Sequence, residues 1–143
     1  MSKILKLVFS VVICEAVGIA GAFFTSPAVS STWYASLVKP FFQPPTWIFS
    51  PAWILLYALM GIALYLVWSH KSAMAFFFIQ LFFNGLWSIL FFGLKNPFLA
   101  FLNIVILWIL ILVLVFKFFK IRKVAGWLIL PYLVWVSFAA VLN

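Results

Sequence analysis

The chain has 143 residues, of which 69% are hydrophobic and 7% charged, and its net charge is +8. Its nine Lys and Arg residues are scattered singly or lie between apolar runs, which excludes a nucleic-acid-binding surface and indicates membrane orientation instead. The single cysteine, Cys14, excludes a disulfide framework and a cysteine-based metal site.

Five apolar runs, each about twenty residues long, are continuous rather than alternating, so they predict transmembrane helices and not a β-barrel. The predicted spans cover about residues 4–24, 44–68, 73–93, 98–117 and 124–142. No cleavage motif follows the first run, which we therefore interpret as a retained helix rather than a signal peptide. The sequence predicts an all-α membrane protein, a five-helix bundle forming one domain over residues 1–143.

The distribution of basic residues predicts the orientation of the bundle. One side collects Lys3, Lys6, Lys71, Lys117, Lys120, Arg122 and Lys123. The other side collects only Lys39 and Lys95. Seven against two is a positive-inside signal, so we expect a cytoplasmic N-terminus and an external C-terminus, in the inner membrane of a prokaryotic cell.

The longest predicted connection, residues 25–43, is then external. Four of the eight tryptophans and four of the seven prolines fall between residues 33 and 68, a mixture that suits the lid and wall of a cavity better than a lipid-facing helix. We expect Trp33, Tyr34 and Pro40 to close over a ligand. Lys39 is the nearest counter-charge if that ligand is anionic.

Polar or indole side chains share one depth in the predicted spans. Counted from the outer helix ends, they lie about 9–14 Å below the membrane surface. They are Glu15, Trp53, Asn84, Trp87, Asn103 and Trp135. Such groups usually face a bundle interior or a cavity, and we favour an aromatic pocket. The alternative is ordinary helix packing, with the two asparagines bonding between helices.

Helical spacing supports convergence of these groups on one face of each span. The predicted stripes are Trp53, Tyr57, Met60 and Leu64, then Gln80, Asn84, Trp87 and Phe91, and finally Trp127, Pro131, Trp135 and Phe138. Trp47, Trp68 and Trp127, near helix ends, are predicted to be interfacial anchors.

The side-chain inventory limits the chemistry of such a pocket. The only histidine, His70, lies at the opposite end, and no nucleophile–base pair or metal-ligand cluster is evident. Glu15 is the only acid and is expected to be protonated or hydrogen-bonded; a proton relay lacks a second acid or buried histidine. Aromatic walls suit a large flat hydrophobic ligand. A metalloporphyrin held by a buried axial histidine is excluded, whereas a metal-free or loosely held porphyrin is not.

Three segments carry a family resemblance: WYASLVKPFFQPPTWIFSPAWILLYALMGIALYLVW at 33–68, FNGLWSILFFG at 83–93 and PYLVWVSFAAVLN at 131–143. They resemble the signature of the tryptophan-rich sensory protein/translocator protein family (TspO/MBR, the peripheral-type benzodiazepine receptors). The resemblance implies a five-helix bundle, commonly a homodimer, with no required cofactor. It implies porphyrins such as protoporphyrin IX as ligands, with isoquinoline carboxamide or benzodiazepine drugs and sterols as further candidates.

Carried over by position, the resemblance implies a set of pocket residues. These are Trp33, Tyr34, Trp53, Tyr57, Asn84, Trp87, Trp135 and Ala139. The sequence pattern adds Lys39, Pro40 and Phe138 as ligand-binding candidates. We favour a receptor or transporter that regulates tetrapyrrole level or a stress response. The alternatives are an enzyme that degrades porphyrin with light and oxygen through Trp53 and Trp135, and a structural partner in a membrane complex.

Overall fold

The computed structural model describes residues 2–29, 33, 36–37 and 49–142, and only the backbone of 25–29, 49–50 and 142. The helices that it describes over several turns are α1 (Lys3–Val29), α2 (Phe49–Leu66), α3 (Lys71–Ser88), α4 (Pro97–Ile121) and α5 (Lys123–Leu142). A π-helical turn, Ile89–Gly93, continues α3. Each helix is apolar on almost every side, which is typical of helices surrounded by lipid and by other helices. The all-α prediction is confirmed.

The predicted first span, about residues 4–24, agrees with the apolar stretch Lys3–Phe24, which is long enough to cross a membrane. Helix α1 continues to Val29, five residues further, and so includes the beginning of the predicted external loop. Trp33 and Ser36 are also helical, and the Ser36 hydroxyl donates to the Trp33 carbonyl at 2.7 Å. A proline within this stretch is tolerated because, in apolar surroundings, the remaining backbone groups gain more from helical hydrogen bonds than the missing N–H loses.

The other boundaries differ from the prediction by a few residues. Helix α3 begins at Lys71 rather than 73, and α4 ends at Ile121 rather than 117. Lysines join these helix ends because their long stems stay in apolar surroundings while the ammonium reaches water. The first five residues of the predicted second span, 44–48, lie outside the described residues, as does Trp47.

The five helices pack in a ring. Helix α1 contacts α2 and α3, α2 contacts α5, and α4 completes the ring between α5 and α3. Short connections join α2 to α3, α3 to α4 and α4 to α5, so these consecutive helices run antiparallel. The α1–α2 seam is especially close: a β-carbon added to Gly61 would lie 2.5 Å from the Val11 Cα. Only glycine permits that approach.

The surface of the bundle is apolar, and the interior holds the few polar side chains. Phe23, Phe98 and Val141 are 77%, 69% and 67% exposed, whereas Gln80, Asn84 and Asn103 are buried. This is the pattern of a protein solvated by lipid. Among the described residues, four helices are long and apolar enough to cross a membrane, and a shorter apolar helix covers Pro51–Leu66. The chain is an integral membrane protein with four or five apolar helices.

The π-helical turn after α3 changes which residues face inward. The Leu94 N–H donates to the Ile89 carbonyl at 2.8 Å, and the wider turn buries the consecutive residues Phe91 and Phe92. Lys95 then takes a positive φ of 52° and turns the chain into α4. The two phenylalanines become the centre of the second aromatic cluster described below.

Candidate functional site

Trp53 lies at the centre of an aromatic cluster between α2 and α5. Its indole stacks on the Tyr57 ring, with centroids 5.4 Å apart and planes at 30°. Tyr132 meets it edge-on at 6.4 Å and Trp135 at 6.2 Å. We call these four residues the Trp53 cluster. Tyr57 lies one turn after Trp53 on α2, and Tyr132 and Trp135 share one face of α5. Helical periodicity therefore places the two residues of each pair side by side.

A chain of hydrogen bonds runs behind the Trp53 cluster. The Tyr57 hydroxyl donates to Asn84 Oδ1, and Asn84 Nδ2 donates to the Tyr132 hydroxyl at 2.8 Å. That hydroxyl donates in turn to Gln80 Oε1 at 2.8 Å. We call these four residues the polar chain; it joins α2, α3 and α5. Gln80 Nε2 is buried without a hydrogen-bond partner among the described residues.

A second aromatic cluster surrounds Phe91, at the end of α3. Trp87 stacks on Phe91 with centroids 5.1 Å apart and planes at 21°, and Trp33 meets Phe91 edge-on at 5.7 Å. Phe92 lies 4.8 Å from Phe91 at 67°. Trp87 packs against both this Phe91 cluster and the main core that contains Trp53. The two clusters therefore form one continuous aromatic region.

The structure brings together most of the predicted site residues that it describes. Trp33 and Trp87 lie in the Phe91 cluster, Trp53, Tyr57 and Trp135 in the Trp53 cluster, and Asn84 in the polar chain. Phe138 lies 6.1 Å from the Trp135 ring, and Ala139 packs against the core. Tyr34, Lys39 and Pro40 lie outside the described residues.

The predicted residues differ in accessibility. Tyr57 and Asn84 are only 6% and 5% exposed, and their polar atoms are hydrogen-bonded to each other. Trp53, Trp87 and Trp135 are half-buried residues that pack against the core. The tryptophans therefore offer aromatic surface, while Tyr57 and Asn84 lie behind them.

Tyr132 is the main residue that sequence reasoning missed. The predicted stripe on the fifth span began at Trp127 and Pro131, but Trp127 is 63% exposed and Pro131 is exposed as well. The buried face of α5 instead contains Ala125, Ile129, Tyr132 and Val136. The signal was present, because Tyr132 precedes Trp135 by three residues and carries the only phenol of that helix. Exposure of Trp127 near the start of α5 agrees with its predicted role as an anchor.

The remaining polar groups at the predicted depth have separate surroundings. Asn103 Nδ2 donates to the Phe83 carbonyl at 2.9 Å and so ties α4 to α3, as the helix-packing alternative predicts. Glu15 is half-buried on α1 beside the buried Cys14. In the part of the chain that is described, no group of three or more His, Cys, Asp or Glu side chains could hold a metal ion.

Two apolar grooves on the surface lie away from the predicted site residues. One, of about 280 Å³, lies between α1 and α3 and includes Gly21 and Gly85 in its lining. The other, of about 470 Å³, lies between α4 and α5 beside Trp108, whose Nε1 donates to the Ser137 hydroxyl at 2.7 Å. The aromatic region is thus chemically distinct, since it combines several half-buried indoles with a hydrogen-bonded interior.

Comparisons with known proteins agree with the resemblance read from the sequence. The profile of the TspO/MBR family matches residues 10–143. The tryptophan-rich protein TspO of Archaeoglobus fulgidus is 48% identical, covering 99% of this chain and 94% of its own. That of Chlorobaculum tepidum is 42% identical, covering 99% and 93%. The translocator protein of Ovis aries is 36% identical over 78% of this chain and 70% of its own.

Proposed function

The chain belongs to the TspO/MBR family, and on that premise we propose that it is a membrane receptor or transporter for porphyrins of the protoporphyrin IX type. Related flat hydrophobic molecules, such as isoquinoline carboxamide or benzodiazepine drugs and sterols, are the further ligand candidates. The aromatic region is the proposed binding site, with Lys39 as counter-charge to a porphyrin carboxylate. Binding would regulate tetrapyrrole level or a stress response.

The observation that supports this proposal is the half-buried indole surface of the aromatic region. Trp53, Trp87 and Trp135 lie on three different helices, and all three residues are half-buried. Each ring is backed by another aromatic ring, Trp53 by Tyr57 and Trp87 by Phe91. Indoles supported in this way can stack on a flat conjugated ligand without first reorganising, and such preorganisation favours binding.

The test is a titration of the purified protein with protoporphyrin IX, followed by the shift of the porphyrin Soret band. The double variant Trp53→Phe, Trp135→Phe should bind about tenfold more weakly, since each indole–ring contact contributes about 0.5–1.5 kcal/mol. Trp127→Phe is the matched control, because Trp127 is an exposed tryptophan of the same helix as Trp135. Equal affinity of the double variant and this control would refute the proposed site.

A second candidate function is porphyrin degradation that depends on light and oxygen. It is favoured by the edge-to-face contact between Trp53 and Trp135, 6.2 Å apart, because two adjacent indoles offer an oxidisable pair beside the proposed ligand. Illumination of protoporphyrin IX with the protein in air should then give a bilin-like product that Trp135→Phe abolishes and Trp127→Phe does not. If all three proteins give only the products of free porphyrin, this function is excluded.

We further propose the arrangement in which this function operates. Five helices would span the inner membrane of a prokaryotic cell as one domain, with the N-terminus cytoplasmic and residues 30–43 forming an external lid that includes Tyr34 and Pro40. A homodimer is the proposed assembly. Cysteine labelling from either side of the membrane at Lys95 and at Lys120 tests the orientation, since only the variant at Lys95 should be labelled from outside.

A further inference from the structure

Two of the three rings that surround Trp53 are tethered by the polar chain. Tyr57 stacks on the indole and Tyr132 meets its edge, and the hydroxyl of each is hydrogen-bonded within the chain. We propose that the polar chain is a positioning network that fixes the orientation of the Trp53 indole, with Gln80 as its last anchor. This inference rests on the proposed function, because Trp53 is a proposed ligand-stacking residue.

The hydrogen bonds run in one direction along the whole polar chain, from Tyr57 to Gln80. Each tyrosine hydroxyl can donate one hydrogen bond. Tyr57 donates to Asn84, and Tyr132 donates to Gln80. Asn84 therefore accepts through Oδ1 and donates through Nδ2. With these directions Gln80 ends the chain by accepting through Oε1, since reversal of its amide alone would leave the Tyr132 proton facing a donor.

The tethers restrict ring rotation. Tyr57 and Tyr132 are 6% and 0% exposed, and around them the bundle is apolar, so a displaced hydroxyl would find no water to replace its lost partner. Rotation of either tyrosine away from its partner is therefore unfavourable. Trp53 lies against both rings and cannot change its tilt without moving one of them.

Stability alone does not explain a glutamine at position 80. The residue is fully buried, and its Nε2 has no hydrogen-bond partner among the described residues, which costs free energy that an apolar side chain of the same size would avoid. The part of Gln80 that the fold uses is Oε1, the acceptor for Tyr132. The amide is best explained by the need to hold that phenol in place.

The test measures Trp53 directly in the ligand-free protein. Near-ultraviolet circular dichroism is recorded for each variant with and without the additional change Trp53→Phe, and the difference isolates the Trp53 signal. Gln80→Met removes the acceptor and should abolish or invert this signal. Gln80→Glu, protonated in its apolar site, keeps a carbonyl acceptor and should retain it. Asn103→Leu, which removes a buried amide outside the polar chain, is the matched control.

Porphyrin binding by the same variants gives a second measurement. Protoporphyrin IX should bind Gln80→Met about three- to tenfold more weakly than the unmodified protein, the range expected when one aromatic contact is misaligned. Gln80→Glu and Asn103→Leu should bind as the unmodified protein does. A normal Trp53 signal in Gln80→Met would overturn the positioning role. An equal loss of the Trp53 signal in Gln80→Met and Asn103→Leu would also overturn it, as would loss of that signal in Gln80→Glu. If no protein binds porphyrin, the proposed function fails, while the ligand-free spectra still decide the positioning role.

A second, independent inference concerns the basic end of the bundle, defined by Lys3, Lys6, Lys71, Lys117, Lys120, Arg122 and Lys123. The Phe9 and Trp68 rings lie 5.9 Å apart, and Lys117 Nζ lies 3.4 Å from the Ser72 hydroxyl, so the ends of four helices meet here. The only acid of the chain, Glu15, is nine residues after Lys6 on α1, or about 14 Å along the axis. The seven cations thus have no counter-charge from the protein nearby.

Lys117, one of the cations of this end, contacts another helix. It is half-buried at the seam between α3 and α4, where its ammonium donates to Ser72 and lies 4.7 Å from the Phe76 ring centroid. Phe116, the preceding residue, is 62% exposed. An ammonium that contacts Ser72 and the Phe76 ring, on a helix with exposed apolar side chains, fits a phosphate attached to acyl chains. We infer that this seam binds the headgroup of an anionic phospholipid.

The test compares two lysine variants of equal charge. The melting temperature of the detergent-solubilised protein is measured with phosphatidylglycerol, phosphatidylcholine or inorganic phosphate. Of the three additives, only phosphatidylglycerol should raise the melting temperature of the unmodified protein. Its apparent affinity should be about fivefold weaker for Lys117→Met and nearly unchanged for Lys120→Met. Equal effects of the two lipids, stabilisation by inorganic phosphate, or equal behaviour of the two variants would overturn the inference.

Discussion

Substitution of Gly18 by alanine should disturb Trp53 although residue 18 lies on another helix. A methyl group at Gly18 would lie 2.6 Å from Cε2 and 2.7 Å from Cδ2 of the Tyr57 ring, whereas ordinary contact begins at 3.4 Å. The ring or α1 must therefore move by about 0.8 Å, the difference between 3.4 and 2.6 Å. Tyr57 resists this movement because its hydroxyl is bound to Asn84 and its ring is stacked on Trp53.

The expected cost follows from that displacement. Overpacking a tight core contact lowers the free energy of unfolding by about 1–3 kcal/mol, whereas the better helix propensity of alanine over glycine raises it by about 1 kcal/mol. We therefore expect the free energy of unfolding to fall by about 0–2 kcal/mol, and by about 1–3 kcal/mol relative to a glycine-to-alanine change without overpacking. Tilt of the Tyr57 ring should also alter the near-ultraviolet circular dichroism of Trp53, because the two rings are stacked 5.4 Å apart.

The matched control is Gly85→Ala, in which the added methyl would meet only Val17 Cγ1, at 3.3 Å. This contact needs a shift of about 0.1 Å, so the control should be neutral or slightly stabilising. Both variants are compared in the same detergent by thermal unfolding and by the Trp53 difference spectrum. Equal stability and equal spectra for the two variants would refute the reasoning that Gly18 is required for the position of Tyr57.

Three further substitutions test the packing of the bundle. Gly61→Ala would place a methyl group 2.5 Å from the α1 backbone, and after the about 1 kcal/mol gained in helix propensity it should cost about 0–2 kcal/mol, whereas Gly85→Ala should be neutral or slightly stabilising. Equal melting temperatures of the two variants would contradict the close α1–α2 seam. Asn96→Ala removes the side-chain cap of α4, a 3.1 Å bond, and should cost about 0.5–2 kcal/mol that Asn96→Asp retains; indistinguishable unfolding of the two variants would exclude the cap. Ser137→Ala removes the 2.7 Å acceptor of the Trp108 indole and should cost about 0.6–2 kcal/mol, which Ser137→Thr should restore; no change in unfolding would show that the bond is not stabilising.

The sequence was sufficient to predict the helices and to identify the buried faces of two of them, α2 and α3. On α2, Tyr57, Met60 and Leu64 follow the predicted stripe and are all buried. On α3, Gln80 and Asn84 stand out because polar residues within an apolar run can be satisfied only on the inner side. A polar side chain therefore identifies the inward face of a membrane helix more reliably than an apolar one.

The inward face of α5 could not be read in the same way. Its residues are apolar in every direction, and Trp127 and Pro131 are spaced like a buried stripe, so periodicity gave little contrast. The π-helical turn could not be predicted from the sequence either, because it lies where the end of α3 packs against both α1 and α4. That turn is what buries Phe91 and Phe92 together.

By itself, the sequence determined that this chain lies in a membrane and which family it belongs to, and it located the described ends of the apolar runs to within a few residues. These properties follow from the composition and residue order of each segment, which do not depend on how the segments pack together. Only the tertiary structure decided which polar groups pair. Members of the polar chain are 27, 48 and 52 residues apart in sequence, and they meet because the ring of helices places α2, α3 and α5 side by side. A hydrogen bond acts over about 3 Å, so no local pattern can specify such partners before the helices have packed.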